Sequence, residues 1–277
     1  MPTFPNALTD RFTLSNGVEI PQVGFGTWQI PDGPETYDSV AAALAAGYRH
    51  IDTAQAYGNE ESVGRAVRDS GIPRDEIFVT TKLPAEIKDA DEARARFART
   101  TGDLDLGAID LYLIHAPWPW TEIGKDCREG NIAVWKVFEE LYGSGAVRSI
   151  GVSNFQVPDL ESLIEATDVV PHANQIRYFI GHTQPEVTAF CAEHEILVEA
   201  YSPLATGGLL ENAELQALAR KYGRSVAQLS IRYVLDKGLL PLPKTTTPSR
   251  IVENADVDFE ISVDDIATLD AMDDPTA

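Results

Sequence analysis

Cysteine is scarce. The 277 residues hold two, Cys127 and Cys191, far apart in sequence and without the close spacing of metal or redox pairs. Both read as free thiols of a reducing compartment, so a cytoplasmic location is expected, with no disulfide framework and no metal site. No stretch approaches 18 uninterrupted apolar residues, so no membrane span is expected. The opening Met1-Pro2-Thr3-Phe4-Pro5 has no basic segment leading into an apolar run and does not read as a signal peptide. Cations are few as well: 22 Lys and Arg against 43 Asp and Glu, a net charge of −21. That field repels nucleic acid and anionic lipid surfaces, so neither is expected as a partner. An anionic ligand would need a local basic cluster to bind against it. No Gly-x-Gly-x-x-Gly follows a strand, which argues against a Rossmann dinucleotide site.

What the chain does have is repetition. Short apolar runs recur at 22–26, 48–52, 77–81, 109–115, 147–152, 172–176, 197–201 and 239–243. Strands that are apolar throughout are buried on both faces, as in a parallel sheet. Helix-like spacing fills the intervals, as at 35–46, 90–104, 132–143 and 213–222. Eight strand–helix alternations predict an α/β fold, a (β/α)₈ TIM barrel formed by residues 1–277 as a single domain. Asn16-Gly17, between alternating apolar residues, predicts a two-residue β-hairpin capping the barrel's N-terminal end. Two helical segments lie between the seventh and eighth strands, and the second, 226–237, is expected to be the extra one. A last helix is expected over 263–272.

In such a barrel chemistry sits where strands end. The second strand runs into Asp52 and Tyr57, the third ends at Lys82, the fourth at His115. An acid, a phenol, an amine and an imidazole thus meet on one rim. The set suits carbonyl reduction, in which an alkoxide must be protonated. A tyrosine of ordinary pKa near 10 is a sluggish acid at neutral pH, and an adjacent ammonium such as Lys82 is expected to lower that value. Asp52 can hold Lys82 charged, and His115 can bond the substrate oxygen. Singly, each residue has another reading: a helix cap, a solvated charge, a buried histidine, a packed ring.

The motifs carrying these residues are long. Gly47-Tyr48-Arg49-His50-Ile51-Asp52-Thr53-Ala54 precedes Tyr57-Gly58-Asn59-Glu60. Thr80-Thr81-Lys82-Leu83, Asp110–His115, Ile150–Phe155 and Asn174-Gln175-Ile176 follow in order. From Val18 to Met272 the chain resembles the aldo-keto reductase family, and among its short bacterial members the 2,5-diketo-D-gluconate reductase group. The resemblance implies Asp52, Tyr57, Lys82 and His115 as catalytic tetrad and NADPH/NADP+ as cofactor. It implies that Ser153, Asn154 and Gln175 bond the carboxamide, that Tyr201 stacks under the nicotinamide, and that Ser202, Leu204 and Gly207 flank the pyrophosphate. A phosphate site after the last strands is a recurring barrel feature, and Lys244, Thr245 and Arg250 fit a 2′-phosphate there. Glu253 and Asn254 are then placed near the adenine. A monomer, the family's common state, is expected to act on a small carbonyl substrate.

The chain also departs from that pattern. Ala116 follows His115 and Pro84 follows Leu83, where relatives often carry Trp. Arg177 stands where an acid is common; it either faces the rim and attracts an acidic substrate or pairs with a carboxylate, the reading preferred here. Trp28, Trp118, Trp120 and Tyr178 are candidates for an apolar pocket mouth. The chain's end soon after the last helix suggests an open pocket. Two rivals remain: a lyase using Lys82 as Schiff-base nucleophile, disfavoured because Asp52 keeps that amine charged, and a cofactor-binding regulatory barrel, disfavoured by the complete tetrad.

Overall fold

Apolar runs without alternation need cover on both faces, and here a closed sheet ringed by helices supplies it. The computed structural model describes residues 7–274; the Met1–Pro5 stretch read above lies outside them. The chain starts with an antiparallel pair, β1 (Arg11–Thr13) and β2 (Glu19–Pro21). The eight runs then form parallel strands: β3 (Phe25–Gly26), β4 (His50–Asp52), β5 (Phe78–Leu83), β6 (Ile109–Ile114), β7 (Val147–Ser153), β8 (Ala173–Arg177), β9 (Leu197–Tyr201) and β10 (Leu240–Leu242). Each pairs with its sequence neighbours from β3 to β10. Backbone bonds from Gly24 N to Pro241 O (3.1 Å) and from Gly26 N to Pro243 O (3.0 Å) join last to first and close the barrel. Glycine is needed at that seam, since a Cβ on Gly24 would lie 2.4 Å from Leu242 Cδ2 and 2.6 Å from His50 Nδ1.

The outer layer comprises α1 (Pro34–Ala45), α2 (Glu60–Asp69), α3 (Ala90–Leu104), α4 (Arg128–Gly143), α5 (Val157–Ala166), α6 (Pro185–Glu193), α7 (Ala213–Lys221), α8 (Val226–Asp236), α9 (Pro248–Ala255) and α10 (Val263–Asp270). Their starts are written locally. Asp89 caps α3 by accepting from Asp91 N and Glu92 N, and Ser225 and Gln228 form a capping box at α8. The doubled helices after β9 correct one expectation. It is α8 that packs on β10 and buries nearly its whole length, whereas α7 leans on α8 and buries Leu215 and Ala219. The extra helix is therefore the first of the two. A core layer must be apolar on more than one side, and 226–236 is the segment with that composition.

The hairpin does close the N-terminal end. Leu14 and Ile20 pack on Phe78, Leu111, Ala173 and Leu240 to make an apolar floor inside the barrel. Its turn differs from the two-residue form expected. Gly17 has φ 83° but Asn16 is not left-handed, and the loop spans more than two residues. Asn16 Nδ2 instead donates to Arg148 O (3.0 Å) and Ser149 Oγ (3.2 Å), fastening the turn to β7.

Candidate active site

Side chains alternate along a strand, so residues two apart share a face. Above the apolar floor this rule stacks a buried polar layer, His50, Thr80 and Glu199, and then a rim of Asp52, Lys82, His115, Ser153, Gln175 and Tyr201. The rim opens into a cavity of about 960 Å³.

Lys82 organises one end of the rim. Fully buried, its Nζ donates to Asp52 Oδ2 (2.7 Å), Asp52 Oδ1 (2.9 Å) and Thr53 O (2.8 Å), and lies 3.4 Å from Tyr57 Oη. Burial pulls the Lys82 pKa down, but the charge of Asp52 and then Tyr57 push it further up, so the amine is held as ammonium. That weighs against the Schiff-base rival, which needs a neutral amine. Tyr57 lines the cavity as the last residue of a short 3₁₀ turn at 55–57 that ends on left-handed Gly58. Its pKa corrects the expectation: burial pushes it up to about 12, and the pull of Lys82 offsets only part of that. The phenol is thus fully protonated at neutral pH. His115 packs edge-on to Tyr57 at 5.6 Å and to Trp120 at 5.6 Å. Burial, then the Lys82 charge, hold the imidazole well below its ordinary pKa, so it is neutral. Its Nδ1 is buried without a partner among the described residues.

Beside this end lies a set of amides, hydroxyls and one flat ring. Ser153 Oγ donates to Gln175 O (2.8 Å), and Asn154 Nδ2 donates to His115 O and to Ser153 Oγ, both at 3.0 Å. Asn154 achieves this in a left-handed conformation, φ 62°. Tyr201 Oη donates to Asn154 Oδ1 at 2.8 Å, which fixes the tilt of its ring over the cavity. Gln175 Nε2 donates to two carboxyl oxygens, Asp52 Oδ2 and Glu199 Oε2, both at 2.9 Å. Because Asp52 can only accept, the NH₂ must point inward and the Gln175 carbonyl toward the cavity.

The far end carries most of the cavity's charged side chains. Lys244, Thr245, Arg250, Glu253 and Asn254 line it, together with the first residues of α8. Lys244 and Arg250 are exposed, and neither has a carboxylate within 4 Å among the described residues. In a chain of net charge −21, Lys244 and Arg250 stand together beside the starts of α8 and α9, with Glu253 at the same end. Ser202, Leu204 and Gly207 line the wall between the two ends, on a loop that turns through left-handed Ser202, Ala205, Thr206 and Gly207.

The structure brings together all but three of the expected site residues around the cavity. Lys82 lies just behind its wall, where it acts on Tyr57. Trp118 stands behind Trp120, edge-on at 5.1 Å, and supports that ring. Trp28 and Trp120 do line the mouth, 46% and 40% exposed. Tyr178 does not: it is 2% exposed and stacks on Tyr233 of α8. An odd step from Gln175, it faces the helices. The preferred pairing of Arg177 is not met either. Its guanidinium lies 4.9 Å over the Phe179 ring and has no carboxylate partner among the described residues. Gln29, Thr206 and Leu210 also line the cavity and carry no signal in the sequence, since loop residues follow no period; Gln216 reaches it from α7.

Comparison with known proteins agrees with this geometry. The aldo/keto reductase family profile matches residues 22–274. The chain is 41% identical to glyoxal reductase of Bacillus subtilis (strain 168) over 269 residues, 97% of this chain and 94% of that protein. It is also 41% identical to methylglyoxal reductase DkgA of Escherichia coli (strain K12), covering 94% and 92%. Among solved structures, an aldo/keto reductase from Brucella melitensis superposes with TM-score 0.89 at 41% identity, covering 94% and 97%. A Bombyx mori aldo-keto reductase in complex with NADP does so with TM-score 0.84 at 34% identity, covering 94% and 92%. With barrel and sequence in accord, the chain is an oxidoreductase belonging to the aldo/keto reductase family.

Proposed function

We propose that this protein reduces small aldehydes or ketones with NADPH, and that Tyr57 is the proton donor. The observation that carries the reading is the bridge made by one buried ammonium: Lys82 Nζ holds the Asp52 carboxylate on one side and reaches Tyr57 Oη on the other. The cavity suits a dinucleotide. A flat ring and an amide-binding set stand at one end, a cationic anion site at the other, and its volume lies within the range of cofactor pockets. Ser153, Asn154 and Gln175 would hold the carboxamide, Tyr201 the nicotinamide face, Ser202, Leu204 and Gly207 the pyrophosphate. Lys244, Thr245 and Arg250 would take the 2′-phosphate, which favours NADPH over NADH, with Glu253 and Asn254 near the adenine. Bound there, the cofactor supplies a hydride to the carbonyl carbon.

The protein's own part is charge and aim. Tyr57 and His115 line the cavity side by side, their ring centres 5.6 Å apart, so that a substrate oxygen between them would accept from both. Neutral His115 orients the carbonyl. As negative charge builds on that oxygen, Tyr57 gives up its proton, and Lys82 stabilises the phenolate left behind. Asp52 keeps Lys82 charged. Trp28 and Trp120 exclude water from above. Small dicarbonyls and keto-sugar acids are the substrate class favoured, the first supported by the glyoxal and methylglyoxal reductases among the relatives. The full tetrad weighs against a barrel that only binds cofactor. NADPH oxidation with methylglyoxal tests the reading. Tyr57→Phe is expected to lower kcat by about a thousandfold or more while leaving NADPH binding intact; full activity in that variant would refute it.

A further inference from the structure

Glu199 is a buried ionisable group with no part in the chemistry above. It lies on β9, two residues before Tyr201, with no solvent exposure. Its Oε2 accepts from Gln175 Nε2 at 2.9 Å. Its Oε1 has no hydrogen-bond partner among the described residues; His50 Nε2, 3.8 Å away, is engaged with Thr80 Oγ1 instead. The groups facing it come from three other strands: His50 and Asp52 on β4, Lys82 on β5 and Gln175 on β8. Both N–H groups of the Gln175 amide are therefore consumed inside the barrel, one on Asp52 and one on Glu199. Without Glu199, one buried N–H loses its partner and the amide can turn about its last torsion.

The geometry points to Glu199 as a positioning residue that acts through Gln175, fixing the pocket-facing carbonyl to which a cofactor amide would bond. The inference rests on the NADPH reading above. Glu199 serves this role as a neutral acid. Burial, then the charge of Asp52, push its pKa up to about 8. With Glu199 neutral, Asp52 and Lys82 balance. With Glu199 ionised, two carboxylates share one ammonium, and the barrel centre gains a net negative charge below the spot where an alkoxide must form. The reaction should then slow as pH rises past about 8.

Two variants test this. Glu199→Leu keeps approximate volume and removes the acceptor; Glu199→Gln keeps an acceptor and cannot ionise. In the protein without cofactor, the ¹⁵N side-chain amide resonances of Gln175 are expected to shift with pH near 8 in the wild type. That shift should vanish in Glu199→Gln, and the resonances should move or broaden in Glu199→Leu. NADPH affinity, read by fluorescence, is expected to fall about tenfold in Glu199→Leu and to be largely restored by Gln. The alkaline limb of kcat should disappear in Glu199→Gln. Should Glu199→Leu fail to fold, the Gln175 resonances and the pH profile of Glu199→Gln decide. Unchanged Gln175 resonances in both variants, or an alkaline limb retained in Glu199→Gln, overturn the inference. A wild type whose Gln175 amide titrates as expected, yet neither binds nor oxidises NADPH, would overturn the functional reading instead.

Discussion

His50 and Glu199 stand 3.8 Å apart, both fully buried in the middle of the barrel, and their titrations pull stability in opposite directions. Burial, then Lys82, lower the His50 pKa from 6.5 to about 3. Between those values the unfolded chain takes up a proton the folded one refuses, so stability is full above pH 6.5 and is lost as pH falls toward 3. Glu199 does the reverse. Its folded value of about 8 exceeds the ordinary 4.5, so its contribution is full below pH 4.5 and is lost as pH rises through 8. The melting temperature of Glu199→Gln relative to wild type is therefore expected to climb steadily between pH 4.5 and 8, and a constant difference would contradict the assignment. His50→Gln should show its relative gain on the acid side, below pH 6. Neither residue announces itself in the sequence as Tyr57 and Lys82 do. The tetrad is legible because it sits where strands end and polar residues interrupt apolar runs. Glu199 is enclosed by Val198 and Ala200, and only the parity of the strand places it inward: once Tyr201 is assigned to the rim, Glu199 must lie beneath it. The same parity turns Tyr178 away from the pocket.

At the level of elements, the strands and their order are readable because short apolar-rich runs recur with helical spacing between them, and the packing that distinguishes α7 from α8 is not. The richer apolar content of 226–236 goes with its burial, but which helix lies on the barrel also depends on the path of the chain after β9. Close approaches between elements are likewise hidden. Gly64 on α2 lies against the carbonyl of Leu104, where an added Cβ would fall 2.0 Å from the oxygen. Backbone cannot yield as a side chain can, so Gly64→Ala is expected to cost about 1–3 kcal/mol, visible as a lower denaturant midpoint with an unchanged slope. The segment from the end of β10 into α9 makes a separate prediction. Lys244→Ala combined with Arg250→Ala should weaken NADPH binding by about tenfold or more and leave NADH binding nearly as it was. An equal loss for both cofactors would remove the 2′-phosphate from this end of the cavity.

Over the whole molecule, a charge of −21 sets two responses to salt against each other. Raising ionic strength from about 0.01 M to about 0.1 M shortens the screening length from about 30 Å to about 10 Å. Self-repulsion then fades and the melting temperature should rise. Attraction of a phosphorylated cofactor to Lys244 and Arg250 should fade over the same range, so NADPH affinity should drop as stability improves. A melting temperature indifferent to salt would mean that the acidic surface is already neutralised by its ion pairs. The hairpin at the opposite end of the barrel carries a consequence for traffic. Leu14 and Ile20 stopper the floor, so whatever enters the barrel must leave by the same door. In a vessel with one opening, the guest seated deepest arrives first and departs last. On the proposed reading that guest is the nicotinamide, lying on Tyr201 beneath the substrate. Turnover should therefore queue: NADP⁺ is expected to compete with NADPH alone, and the alcohol to leave before it.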